Sequence, residues 1–168
     1  MIALPSIKEK NFILINSVAT AIILSLISLI TFALTFLVLP LGNLRIHFFQ
    51  AGIFTTSFLF GPLAGALVGG LTSSYVALAI MHNPWIIGGN ALLGFFSARF
   101  YLTNHPVKAA LLAYAIQLPY LIFTDIFLAH MLSSAVLRIA LLLFFENLIC
   151  STAAMIIVPT VKNLLRRP

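Results

Sequence analysis

The sequence predicts an all-α integral membrane protein, a single transmembrane domain over residues 1–168 arranged as a bundle of six transmembrane helices. Three observations carry that expectation. Of the 168 residues, 62% are hydrophobic and 7% charged, against about 45–50% and about 25% in soluble domains. Nine Lys and Arg with three Asp and Glu cannot cover the roughly 30% of its unfolded surface that a soluble globule of this size leaves in water. The hydrophobic blocks are also broken by Pro, Gly, Asn and His at intervals that suit a crossing of about 20 apolar residues. Finally, the basic residues fall unevenly between those breaks.

The first helix is expected over about 12–39, ended by Pro40 and Gly42. It is longer than a signal-peptide apolar region of about 7–15 residues and reads as a retained span. A polar connection, Gly42-Asn43-Leu44-Arg45-Ile46-His47, follows. The second helix, about 48–60, is short and stops at Gly61-Pro62, where the third begins and reaches about residue 81. His82-Asn83-Pro84-Trp85 lead into a fourth helix over about 86–102, which Thr103-Asn104-His105-Pro106 break. The fifth is expected over about 107–128 and the sixth over about 135–160. Six spans of about 20 residues use roughly 120 positions, so no extramembrane domain is expected.

An even number of spans places both termini on one side. With that side cytoplasmic, the inner segments hold Lys8, Lys10, Arg99, Lys108, Lys162, Arg166 and Arg167, and the outer ones only Arg45 and Arg138. This is the bias of the positive-inside rule. It puts the segments carrying Arg45 and His47, His82 and Trp85, and Asp125 and His130 together on the outer face. The net charge of +6 therefore reads as a topology signal. No basic stripe interleaved with aromatics points to nucleic acid. The lone Cys150 has no intrachain disulfide partner.

Small residues mark packing faces, because helices in lipid associate by close backbone approach. The third helix carries Gly61, Gly65, Gly69, Ser73 and Ala77 at a spacing of four and is expected at the crowded centre of the bundle. Ser17, Ala21 and Ser25 form a similar stripe on the first helix. Internal packing and docking onto another membrane protein both fit it.

Ionisable groups at membrane depth are costly and mark candidate sites. Glu146 lies mid-way along the sixth helix beside Asn147, roughly 15 Å from its outer end. It reads either as an internally satisfied structural group or as the floor of a binding cavity. Arg138 precedes it by about two turns. Asn90 on the fourth helix and Tyr120 and Asp125 on the fifth approach the same outer half, with Gln117 deeper. Trp85 and Tyr120 fit interfacial anchors as well as a cavity wall. His47, His82 and His130 lack the close spacing of a metal-ligand motif.

The chemistry the chain lacks narrows its function. There is no Gly-rich phosphate loop with Lys-Ser/Thr, no paired catalytic carboxylates and no His-Glu-x-x-His. Asp125 and Glu146 are the only acids after Glu9. No enzyme activity and no cofactor are expected, and active transport would draw energy from elsewhere. Of the alternatives, a membrane-embedded enzyme would need more converging acids and bases. A stand-alone small-molecule carrier would often show inverted repeats, which the two halves do not display. A purely structural subunit would not need the polar outer cluster.

The Leu-Phe-Gly-Pro-Leu-Ala-Gly-Ala-Leu-Val-Gly-Gly run at 59–70, the Pro-Trp-Ile-Ile-Gly-Gly-Asn-Ala-Leu-Leu-Gly-Phe-Phe stretch at 84–96 and the small-residue stripe on the first helix resemble the S components of energy-coupling factor (ECF) transporters. The similarity covers roughly 12–160. It implies a substrate-binding membrane subunit that captures a vitamin or related micronutrient outside the cell. It also implies partners: a transmembrane coupling protein and two cytoplasmic ATPases of the ABC type. Ser17, Ala21 and Ser25 would be the docking stripe, in a multi-pass protein of a prokaryotic plasma membrane. By the same resemblance the substrate site would draw on Arg45, His47, His82, Trp85, Asn90, Tyr120, Asp125, Arg138, Glu146 and Asn147. Loop one would cover the solute and the whole body would tilt to deliver it. Glu146 and Asn147 with nearby aromatics suit a cationic or hydrogen-bonding ring such as a thiamin precursor. The His47-Phe48-Phe49-Gln50 opening resembles S components assigned to thiazole or pyrimidine uptake. Arg45 and Arg138 equally permit a carboxylated vitamin.

Overall fold

The computed structural model describes residues 12–13, 18–41 and 44–165, with the backbone alone at 41, 44, 45 and 165. Helix α1 runs Val18–Ala33 and faces outward with Val18, Ile22, Leu26, Leu29 and Ile30. Its inner edge is closed by Thr31, whose hydroxyl donates to Ile27 O at 2.6 Å. That internal bond lets a hydroxyl lie against Gly52 of the next helix, where a Cβ would come within 2.0 Å of Thr31 Oγ1.

The first departure from expectation follows. The helix does not continue to residue 39: Thr35 and Phe36 close a turn, and the chain forms strand β1, Val38–Leu41, antiparallel to β2, Leu44–His47. Pro40 has no N–H to donate and is tolerated because a two-stranded hairpin is all edge. Pairing Val38 with His47 and Leu41 with Leu44 spans Gly42-Asn43, a dipeptide of the kind that joins hairpin strands. Most of the stretch expected as a polar connection, 44–47, is thus strand β2, which delivers His47.

Helix α2, Phe49–Phe60, is buried on almost every side. Gly61, at φ 92, makes the reversal that a side chain would resist, and Pro62 starts α3, Pro62–Tyr75. α3 was expected at the centre; α2 holds that place instead. One face of α3 exposes Leu63, Leu67 and Leu71, while Gly65 and Gly69 are buried against α4, Trp85–Tyr101, with Gly65 also against Ser57 of α2. There the two backbones touch. A Cβ on Gly94 would come within 2.1 Å of Gly65 O, and one on Gly69 within 2.3 Å of Asn90 O. A glycine stripe specifies close approach, not a central position.

Helices α5, Pro106–Phe123, and α6, Ser133–Leu165, complete the bundle. The Tyr114 hydroxyl joins them by donating to Ala140 O. Both α3 and α5 loosen into a π-helical turn at their ends, Val76–Ile80 and Thr124–Leu128. The two exits match. Met81 N–H bonds Val76 O and Asn83 N–H bonds Ala77 O; Ala129 N–H bonds Thr124 O and Met131 N–H bonds Asp125 O, all at 2.8 Å. Each pivots on a histidine with positive φ, His82 at 49° and His130 at 52°.

Successive helices run up and down, so the bundle has two unlike ends. One holds the apolar core of Phe54, Phe58, Leu59, Leu93, Tyr101, Ala109, Ala113 and Ala154. Arg99, Lys108 and Lys162 lie at that end, with Lys162 Nζ 5.8 Å from the centre of the Tyr101 ring. The other end gathers the hairpin, both π-helical turns and the first turns of α4 and α6. Three helical segments, Pro62–Ile80, Pro106–Leu128 and Ser133–Leu164, are long and apolar enough to cross a membrane. With exposed leucines along their outer faces, the chain is a membrane protein.

Candidate functional site

A cavity of about 580 Å³ opens at the polar end, within the range of small-molecule pockets. Its floor is Glu146 of α6, 2% exposed, whose Oε1 accepts the backbone N–H of His47 at 2.9 Å. The hairpin is therefore tied to the cavity floor by its last residue. Among the described residues no Lys or Arg reaches this carboxylate. At this depth a lone backbone hydrogen bond offsets only part of the desolvation of an ionised group.

A second carboxylate, Asp125, is placed by the π-helical turn of α5. It accepts the Asn83 side-chain N–H at 2.7 Å. The other end of that amide, Asn83 Oδ1, receives the Trp85 backbone N–H at 3.1 Å. Tyr120 then donates its hydroxyl to Trp85 O at 3.2 Å. This chain of contacts locks the start of α4 to the end of α5 and holds the indole at the mouth.

Of the residues predicted from the sequence, His47, Trp85, Asn90, Tyr120, Asp125, Arg138 and Glu146 all line this cavity. Residues 47 to 146 meet because one end of an up-and-down bundle collects every second connection. Two predicted members are elsewhere. His82 is exposed and outside the lining, its backbone committed to the left-handed turn. Asn147 is fully buried but off the cavity face, since one step along a helix turns a side chain by about 100°. The Arg45 side chain lies outside the described residues, as does Ser17. Ala21 and Ser25 are exposed on α1.

The structure adds lining residues that the sequence had not singled out as site members. Gln50 opens α2, Gln117 lies on α5 below Tyr120, and Asn83 and Thr124 belong to the two π-helical exits. Met81 and Met131, which flank the pivot histidines, both face the cavity, and Ile86, Ile139, Leu142 and Leu143 supply an apolar wall. Gln50 was detectable as the polar residue closing the His47-Phe48-Phe49-Gln50 stretch. Asn83 carried no local signal beyond preceding Pro84. Among the described residues no three His, Cys, Asp or Glu side chains converge as a metal site.

No known family model matches the chain, and no curated protein does. Among solved structures, the S component of a bacterial ECF transporter matches over 89% of this chain and 98% of that one, with a TM-score of 0.56 and 22% identity. The fold is that of an ECF transporter S component. At this identity the S-component likeness concerns the backbone, and the chemistry of the site rests on the side chains present.

Proposed function

We propose that this chain is the substrate-binding membrane subunit of an ECF-type ABC importer. It captures a vitamin or related micronutrient, a thiamin precursor among the candidates, at the outer face of a prokaryotic plasma membrane. The observation that carries the reading is the single cavity-lining set described above. Seven polar or aromatic residues from the hairpin and from α4, α5 and α6 surround one solute-sized space, inside a fold shared with an S component. The site is formed by His47, Trp85, Asn90, Tyr120, Asp125, Arg138 and Glu146.

The distribution of charge supports an outward-facing cavity. Arg99, Lys108 and Lys162 sit at the opposite end, and Arg138 alone of the described Lys and Arg side chains lies at the cavity end. In this reading the chain crosses the membrane six times, with both termini cytoplasmic. In this reading the β1–β2 hairpin is the lid, anchored through His47 to Glu146. Energy comes from two cytoplasmic ATPases through a transmembrane coupling protein, which docks on the face of α1 that presents Ala21 and Ser25. The body then tilts in the bilayer, a movement made less costly by the scarcity of fixed charge between the two ends.

Uptake tests the proposal. Cells making the chain with a coupling protein and ATPase pair should accumulate the small molecule identified by mass spectrometry of the purified protein. The chain alone should bind that molecule and not accumulate it. Concentrative uptake by the chain alone in liposomes would refute the importer reading.

A further inference from the structure

Gly88, in the first turn of α4, makes room for a side chain of the cavity wall. A Cβ at 88 would overlap the Tyr120 hydroxyl oxygen and come within 3.1 Å of Cζ, whereas one on Gly89 would meet the same ring at 3.6 Å, an ordinary contact. The phenol of α5 therefore lies in a notch on α4 that is one residue wide. Its hydroxyl is held there by donating to Trp85 O at 3.2 Å. Tyr120 is half-buried and borders the cavity beside Trp85 and Ile86, so the ring has α4 behind it and the solute space in front. Gly88 itself is not part of the lining. The obstacle at 88 also differs in kind from those at Gly69 and Gly94, where a Cβ would meet backbone of the facing helix. At 88 it would meet the far end of a side chain that can turn about its own rotatable bonds. The cost then falls on the position of Tyr120 and not on the contact between helices.

We infer that Gly88 is a positioning residue for the solute site: the notch it leaves parks Tyr120 against α4, and that parking sets how broad a solute can pass the cavity mouth. The inference rests on the cavity being the substrate site, and it names a residue outside the lining that governs entry. A side chain at 88 breaks the hydrogen bond to Trp85 O and turns the phenol into the opening. Slender molecules still pass, and broad ones are turned back.

The test uses the purified full chain in lipid nanodiscs and needs no solute. Cys150, buried and outside the lining, is replaced by alanine, and Leu142→Cys places a single thiol on the cavity wall about one turn outward from Glu146. Methyl and benzyl methanethiosulfonate, both uncharged, serve as the narrow and the broad probe. Gly88→Ala should melt close to the parent chain and lower the benzyl-to-methyl rate ratio about ten-fold or more. Gly70→Ala, which adds a methyl group facing Ile87 of α4, should leave the ratio within about two-fold. In a Tyr120→Phe background the colliding oxygen is gone, so there Gly88→Ala should change the ratio by less than about three-fold; a merely local disturbance of α4 would persist. Labelling with 3-fluorotyrosine reads the ring itself. Of the four tyrosines, the fluorine resonance that Tyr120→Phe removes should move in Gly88→Ala while the other three hold. Tyr120→Ala, which takes the ring away and leaves 88 untouched, should raise the ratio. An unchanged or raised ratio in Gly88→Ala overturns the inference, as does a drop that survives in the Tyr120→Phe background, an unmoved Tyr120 resonance or no rise in Tyr120→Ala. Failure of Gly88→Ala to fold overturns it too, because the ring would then not yield. So does a thiol at 142 that neither probe reaches in the parent chain, since there would be no open mouth to narrow. Thiol access is read without solute or partner subunits, so each of these failures leaves the importer reading to its own uptake test.

Discussion

Replacing Gly94 by alanine tests the contact that positions α4. A Cβ there would lie 2.1 Å from Gly65 O and 2.5 Å from its carbonyl carbon, both backbone atoms that cannot rotate away, whereas ordinary contact begins near 3.4 Å. The α3–α4 pair must therefore part by about 1.3 Å at this point. The Ser57 hydroxyl, 2.9 Å from Gly94 O, loses its hold as the gap opens. Overpacking of this kind costs about 1–3 kcal/mol and the lost hydrogen bond about 1 kcal/mol. The helix preference of Ala over Gly returns about 1 kcal/mol. The net is a destabilisation of about 1–3 kcal/mol, or about 2–12 °C in a chain of this length. Gly70→Ala is the internal control, because its nearest neighbours, led by Ile87 Cγ2 at 3.6 Å, leave room for a methyl group; it should hold or raise the melting temperature. Thermal unfolding in detergent, followed by Trp85 fluorescence, compares the two. If Gly94→Ala melts with or above Gly70→Ala, the close backbone contact is not what holds these helices, and the placement of Asn90 one turn away loses its physical basis.

Three further outcomes are expected. Asn83→Ala removes the donor to Asp125 and the acceptor of Trp85 N–H; it should cost about 1–3 kcal/mol and shift Trp85 emission to the red, and an unchanged spectrum would refute the tie between α4 and α5. His82→Gly should be neutral or stabilising by up to about 1 kcal/mol, whereas His82→Val should destabilise by about 1–2 kcal/mol, since φ is 49° there; equal melting of the two would deny the left-handed pivot. Ala21→Trp, on the exposed face of α1, should leave solute binding unchanged while abolishing uptake and co-purification with the coupling protein. Retained uptake would move the docking face elsewhere.

Elements whose causes lie close together in the chain were legible in advance. Pro62, Pro106 and the apolar runs behind them mark helix starts whatever surrounds them. The β1–β2 hairpin was missed because Val38-Leu39 continue the apolar run of α1, and helix and strand cannot be told apart by hydrophobicity over so short a stretch; Pro40 and Gly42-Asn43 read equally as a helix end and a polar connection. The glycines of α3 announced a close contact but not how many neighbours share it, so α2, which has no such stripe, was not seen as the centre.

The site divides along the same line. Glu146, Asp125, Arg138 and Trp85 stood out because a charge or an indole in an oily sequence is costly or position-specific wherever it falls. Gln50 and Asn83 did not, and Gln117 was noted only as deeper than Tyr120, since an amide can be solvated, paired or left unsatisfied, and its neighbours from other helices settle which. Composition by itself determined that the chain belongs in a bilayer, because twelve charges cannot clothe this much apolar surface in water. Only the tertiary structure decided that Asn147 turns away, that His82 is used as a pivot and that Gln50, Asn90 and Gln117 line one cavity, because rotation about a helix axis and the identity of facing side chains are properties of contacts between distant segments.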